Sequence, residues 1–171
     1  RGSIRVELRM TELCVIGCGN MGSALLQGLA AVEEYELTAI DSDPQALKRV
    51  SADVSKTTEH ASAAMEAQIV FLSVKPEAID SVLSDLELSE AQTLVTLAAG
   101  VSRDYVADRT DATVVRVMPN IAARHGSMAA AAVKAGLTDE VAEILRQVGM
   151  FVEVDESLID ISTAVNGGGP A

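Results

Sequence analysis

The run Gly17-Cys18-Gly19-Asn20-Met21-Gly22 carries glycine at its first, third and sixth positions. That spacing suits a backbone that has to hold a pyrophosphate. The first glycine permits a tight turn, the second lets the anion approach the main chain, and the third lets a following helix pack closely on the preceding strand. The helix would add free N–H groups and the positive end of its dipole. A plain strand-to-helix turn is the competing reading, and the context favours dinucleotide binding: an apolar run precedes the loop and an amphipathic stretch follows it. Asp41 lies 24 residues after Gly17 and 19 after Gly22, at the tip of a second apolar run. A carboxylate there can accept hydrogen bonds from an adenosine ribose diol. A 2′-phosphate would meet Asp41 and Asp43 across Ser42, with Lys48 the nearest base in sequence, so NADH is favoured over NADPH. The alternative is that both acids merely cap the next helix.

Other reactive residue types lack partners. His60 and His125 stand alone, and a single His without a ligand set is more often a loop residue than a catalyst. Cys14 and Cys18 have no His or further Cys beside them, which falls short of a zinc site and of a disulfide framework, and both read as reduced residues of a cytoplasmic protein. Neither a G-x-S-x-G elbow nor a phosphate-loop lysine is present, which argues against hydrolase and phosphoryl-transfer chemistry. Met118, Met128 and Met150 read as packing residues.

Composition narrows the partners. Among 171 residues, 13 Lys plus Arg stand against 25 Asp plus Glu, a formal charge of −12. A field of that sign repels nucleic-acid backbones and anionic membranes. The four aromatics, Tyr35, Phe71, Tyr105 and Phe151, are too few for base stacking. The longest apolar runs, such as residues 128–133, are about a third of the ~18 residues a spanning helix needs. The chain is therefore expected to be soluble, without a nucleic-acid or membrane partner.

The elements that must position these residues alternate along the chain. Strands are expected at residues 12–17, 37–40, 52–54, 69–74, 93–97, 113–118, 128–133 and 150–154. Helical stretches are expected at 21–32, from Pro44 onward with Asp43 as N-cap, and at 60–66, 76–86, 102–109, 138–148 and 158–165. Repeated strand–helix units predict an α/β, doubly wound, Rossmann-type sheet, mainly parallel, with helices on both faces. Residues 1–9 read as a leader ahead of a native start at Met10, with an extra edge strand as the second reading.

Several segments together resemble pyrroline-5-carboxylate reductases. They are Gly17-Cys18-Gly19-Asn20-Met21-Gly22-Ser23-Ala24, Val74-Lys75-Pro76, Ala98-Ala99-Gly100-Val101, Arg116-Val117-Met118-Pro119-Asn120, Leu158-Ile159-Asp160 and Gly167-Gly168-Gly169-Pro170-Ala171. The glycine loop is common to many dehydrogenases; the other segments, in this order, are more specific. The resemblance covers residues 10–171. It implies an enzyme of proline biosynthesis that passes a hydride from NADPH or NADH to the C=N carbon of 1-pyrroline-5-carboxylate. It further implies cofactor contacts at Ser73, Val74, Lys75 and Pro76, at Leu97, Ala98 and Ala99, and at Asn120 beside the nicotinamide. A cofactor-contacting Asn of the family falls on His60, and an acid near the cofactor falls on Glu156. The family usually has Thr-Pro after that Asn, where this chain has Ile121-Ala122, and a Ser-Gly-Ser-Gly-Pro type where it has Asn166-Gly167-Gly168-Gly169-Pro170.

The same resemblance divides the chain into a dinucleotide-binding domain at 10–154 and the start of a linker and helical dimerisation domain at 155–171. The remainder of that helical domain, which makes the enzyme a homo-oligomer and supplies its substrate loop, lies beyond the sequence in hand. It implies that this piece binds cofactor without turnover, and it leaves the catalytic residues unassigned. Two alternatives stay open. One is a β-hydroxyacid or prephenate-type dehydrogenase domain, which shares the glycine loop; the other is a nucleotide-binding module without chemistry.

The acid excess, 14 Glu and 11 Asp against 4 Lys, fits either a high-salt cytoplasm or an ordinary acidic protein. The halophilic reading makes a prediction. The urea midpoint of unfolding should rise steeply from low to molar salt as carboxylate repulsion is screened, and a flat profile would make the composition incidental.

Overall fold

The computed structural model describes residues 10–161. The leader at 1–9 and the glycine-rich segment at 166–171 lie outside the described residues, as do the last positions of the helix expected at 158–165. In chain order the strands and helices are β1 (Thr11–Ile16), α1 (Asn20–Leu29), β2 (Tyr35–Ile40), α2 (Pro44–Val50), β3 (Lys56–Thr58), β4 (Ile69–Leu72) and α3 (Ile79–Ser84). They continue as β5 (Thr93–Thr96), α4 (Arg103–Ala107), β6 (Thr113–Pro119), β7 (Met128–Val133), α5 (Asp139–Val148) and β8 (Gly149–Val154). Short 3₁₀ turns occupy Ala61–Glu66, Pro76–Ala78 and Ile121–His125.

The strands form one eight-stranded sheet in the order β3-β2-β1-β4-β5-β6-β7-β8. Its first six strands are mutually parallel. Central β4 and β5, Ile69–Leu72 and Thr93–Thr96, are buried at every position, as strands covered by helices on both sides must be. Alternation sorts the β1 side chains. Leu13 and Val15 face a core shared with Leu25, Leu26 and Leu29 of α1 and with Ile144 and Leu145 of α5. Cys14 and Ile16 face a second core shared with Ile79 and Leu83 of α3 and Val106 of α4. The chain leaves β1 toward β2 on one side and returns to β4 on the other. This reversal opens a crevice at the C-terminal ends of β1 and β4, where ligands of such sheets bind.

Local chemistry sets several boundaries. Asp43 Oδ1 accepts from Gln45 N–H at 2.9 Å and Pro44 opens α2, the start expected from the sequence. Thr138 and Ser102 cap α5 and α4 in the same way, accepting from Val141 and Tyr105 N–H at 3.2 Å each.

One expectation is corrected. The third strand lies at Lys56–Thr58 rather than 52–54, because Asp53 N–H closes a turn onto the Val50 carbonyl and the chain straightens only at Ser55, whose N–H reaches Leu37. The sheet is mainly parallel, as expected, with one antiparallel pairing near its end. β7 is antiparallel to β6, with Val117 opposite Ala132, and β8 follows β7 in parallel. Residues 120–127 link β6 to β7, and a parallel crossover needs about a dozen residues or more.

Buried polar groups tie elements together. Arg116, 2% exposed in the middle of β6, donates from Nη1 to Glu156 at 2.6 Å and from Nη2 to Asp160 at 2.8 Å. Both acids lie on the helical residues 156–161, whose Ile159 packs on Met118, Ala131 and Val133. Gln92 is the second tie. Its Nε2 donates to the carbonyls of Ala64 at 3.1 Å and Ala67 at 2.7 Å, while Oε1 accepts from Ser89 N–H at 3.0 Å. Gln92→Leu should therefore destabilise the chain by about 1–3 kcal/mol, because both carbonyls and the N–H lose their partner. Urea unfolding measures it, and a midpoint equal to that of the parent would show that water replaces the amide at no cost.

Candidate cofactor site

Each glycine of the loop after β1 meets a different physical demand. Gly17 has φ +92°, and a Cβ on it would lie 2.5 Å from the Ser73 carbonyl oxygen of the loop after β4. No other residue fits there. Its N–H continues the sheet ladder to the Ile40 carbonyl at 2.8 Å, as Ser73 N–H does to Ile16 at 2.8 Å. A Cβ on Gly22 would collide with the Gly17 carbonyl oxygen and touch Val15, so α1 can start this close to β1 only with glycine at that position. Gly19 differs: a Cβ there would meet no atom within 4 Å. The open side of the loop is therefore at the residue that caps α1.

The electrostatics of that opening suit an anion. Gly19 gives α1 no side-chain cap, and the first turn of the helix carries no acid. The N–H groups of the first turn have no helical acceptor, and the dipole adds partial positive charge. Ser23 Oγ donates to the Cys18 carbonyl at 2.7 Å and holds the loop in shape. Cys14 and Cys18 do not add a nucleophile, because burial pushes both thiols up to about 12.

Asp41 follows β2 and turns back onto this loop. Oδ2 accepts from Cys18 N–H at 2.7 Å, and Oδ1 accepts from Asp43 N–H at 2.8 Å. The acid singled out for a ribose diol is thus fixed beside the glycine loop, and each oxygen keeps a second lone pair for a further donor. Ser42 and Asp43 are exposed next to it, with Asp43 capping α2 as the competing reading required. His60 is exposed beyond β3, its N–H on Thr58 Oγ1 at 3.2 Å, and Thr58 in turn accepts from Asp41 N–H at 3.3 Å. Arg49 was not singled out in the sequence, yet its charge is felt at the Cys18 thiol.

The other candidates extend along the same edge of the sheet. Ser73 and Val74 are half-buried after β4, and Lys75 and Pro76 are exposed. After β5, Leu97 N–H reaches the Leu72 carbonyl at 3.0 Å, Ala98 is buried and Ala99 exposed. Asn120 ends β6 on this edge, with its Oδ1 accepting from the N–H groups of Ala122 and Ala129. Glu156 is not among them. Its Oε1 is held by Arg116 and by Arg103 N–H at 3.1 Å, and the Arg103 guanidinium bonds Val114 at the opposite end of β6 from Asn120. Sequence reading missed Arg116 as the partner of Glu156, and nothing local announces a cation inside an apolar strand.

Comparison with known proteins agrees with this geometry. A pyrroline-5-carboxylate reductase of Methanosarcina acetivorans is 39% identical over 91% of this chain and 63% of its own length. One from Corynebacterium melassecola is 35% identical over 95% of the chain and 66% of its own length. A crystal structure of 1-pyrroline-5-carboxylate reductase from Streptococcus pyogenes superposes with a TM-score of 0.82 at 25% identity, covering 95% of this chain and 65% of that one. The chain therefore spans slightly less than two thirds of these relatives. A family model described as NADP oxidoreductase, coenzyme F420-dependent, matches residues 12–100, more than half of the sequence, and the chain belongs to that family.

Proposed function

We propose that this chain is the cofactor-binding part of a reductase that converts 1-pyrroline-5-carboxylate to L-proline at the expense of NADH or NADPH, with NADH favoured. The observation that carries the reading is the open flank of Gly19 over an uncapped, acid-free helix start, a cradle that a side chain would fill. The likeness to reductases of that name along nearly the whole chain supplies the substrate. Residues 10–154 form the dinucleotide-binding domain, and 155 onward begins the linker to a helical domain that makes the whole enzyme a cytoplasmic homo-oligomer.

The bound nucleotide supplies the hydride. Everything else falls to position. The N-terminus of α1 and the Gly19 backbone hold the pyrophosphate, Asp41 and its neighbours Ser42 and Asp43 meet the adenosine ribose, and His60 borders that end. Ser73–Pro76, Leu97–Ala99 and Asn120 run from there toward the nicotinamide. The imine carbon must then sit against one face of the ring while the C=N electron pair moves to nitrogen, which takes a proton from water. The groups that fix the imine carboxylate come from the helical domain, so this chain alone binds the nucleotide without turnover.

Asp41 tests the cofactor preference. Calorimetric titration of Asp41→Asn should show the NADH-to-NADPH affinity ratio falling roughly tenfold, since the variant loses a charge-assisted acceptor for the diol and a repulsion toward 2′-phosphate. An unchanged ratio removes the basis for favouring NADH. Imine reduction assayed in the same sample gives the second result: turnover by this chain would overturn the assignment of the substrate groups to the helical domain.

A further inference from the structure

The two edges of the sheet are built differently. β3 is three residues long and carries an exposed Lys56, a short charged edge that discourages pairing. β8 is six residues long and holds neither Lys nor Pro. Among the described residues no strand pairs with its far side. The Val154 carbonyl accepts from Lys134 N–H at 3.0 Å, so Met150, Val152 and Val154 turn their backbone groups to β7, and by alternation those of Phe151 and Glu153 point outward. The side chains alternate as well. Met150 and Val152, 79% and 60% exposed, share the face on which Val154 packs against Met118, Ala131, Val133 and Ile159. Phe151 and Glu153 share the opposite face, where Phe151 packs against the core and the Arg146 guanidinium of α5 lies 5.7 Å from its ring centre.

This edge is complementary to itself. In an antiparallel pair about a two-fold axis at Val152, Phe151 falls opposite the partner's Glu153, and their outward backbone groups exchange two N–H···O bonds; the symmetric pair makes two more. On one face Val152 meets the partner's Val152 and Met150 meets the partner's Val154, so the exposed apolar side chains of the strand are covered. On the other face the partner's Glu153 arrives beside Phe151 and the Arg146 cation that lies over it, a carboxylate meeting a guanidinium. The register is specific. An axis at Phe151 would set Val154 opposite Val148 of α5, and an axis at Glu153 would set Met150 opposite the helical Glu156, so the strand pairs in full only about Val152. We infer that β8 is an interaction surface for a second copy of this chain, joining two sheets edge to edge through an antiparallel β8 pair centred on Val152. The contact uses none of the residues assigned to the cofactor and stands apart from the function proposed above.

The register gives the experiment. Two chains of formal charge −12 repel each other at long range, so the parent chain, Val152→Lys, Val152→Cys and Met150→Cys are compared at about 0.5 M salt, with melting temperatures recorded. Both positions are exposed, and all three variants should melt with the parent. In sedimentation the parent mass should rise toward twice the monomer value with concentration. Val152→Lys places two cations face to face on the axis and should dissociate at least roughly tenfold more readily. Under mild oxidation Val152→Cys should form a disulfide-linked dimer, because a non-hydrogen-bonded antiparallel pair brings its Cα atoms to about 4.5 Å, within disulfide reach. Met150→Cys is the more exposed thiol yet should not, since four residues of strand rise put it about 13 Å from its copy. The native Cys14 and Cys18 are buried and do not compete. Equal cross-linking at the two positions, or a Val152→Lys chain that associates like the parent, overturns the inference. A parent that stays monomeric to about 1 mM overturns it as well and leaves the apolar face of β8 to another occupant, such as the helical domain.

Discussion

The turn between β1 and α1 is as tight as the sheet requires because side chains are missing where backbones meet. Gly17 lies against the Ser73 carbonyl, and Gly22 lies against the Gly17 carbonyl. These approaches bring the start of α1 over the end of β1 and beside the loop after β4, which is where the chain reverses its direction of travel across the sheet. Any β-carbon at either position would push helix and strand apart and move the helix N-terminus off the crevice. The two cores, one on each face of the sheet, hold the same strands in register. The glycine positions and the apolar alternation therefore fix a single arrangement at the strand ends, and the site is a product of that packing.

Charge decides what such an arrangement can hold. A chain of formal charge −12 repels an anionic cofactor at long range, so capture depends on local groups. The uncapped start of α1 provides them on one side. On the other, Asp41 places a carboxylate on Cys18 N–H, next to the loop. Because the same carboxylate also binds Asp43 N–H, it joins the loop after β1 to the start of α2. One acid thus shapes the glycine loop and sets the charge that an adenosine ribose would meet.

Much of this was legible in the sequence because it is local. The glycine spacing, the Asp43–Pro44 start of α2 and the apolar alternation of β1 each involve neighbours along the chain. What was not legible depends on distant partners. Residues 128–133 read as a strand from their apolar run, but the direction of β7 follows from the short connection after Asn120 and from pairing with β6. Lys56–Thr58 lacks an apolar face and becomes a strand by adding to the edge of β2. Arg116 looks like an interruption in a strand until Glu156 and Asp160 arrive from 40 and 44 residues away. The family resemblance pointed to Asn120 as a contact, whereas the orientation of its amide became visible only with β7 beside it.

The proposed function keeps the space beside Gly19 for a pyrophosphate. Gly19 has φ −68° and ψ −161°, a conformation open to any residue, and a Cβ there would touch nothing within 4 Å. Gly19→Val should therefore leave folding nearly unchanged while filling the cradle. Calorimetric titration with NADH of the parent chain and of this variant, with melting temperatures measured alongside, separates the two effects. The variant should melt with the parent and bind NADH at least roughly a hundredfold more weakly, since a branched side chain would hold the phosphates off the helix start. Unimpaired NADH binding by a folded Gly19→Val chain would contradict the proposed function.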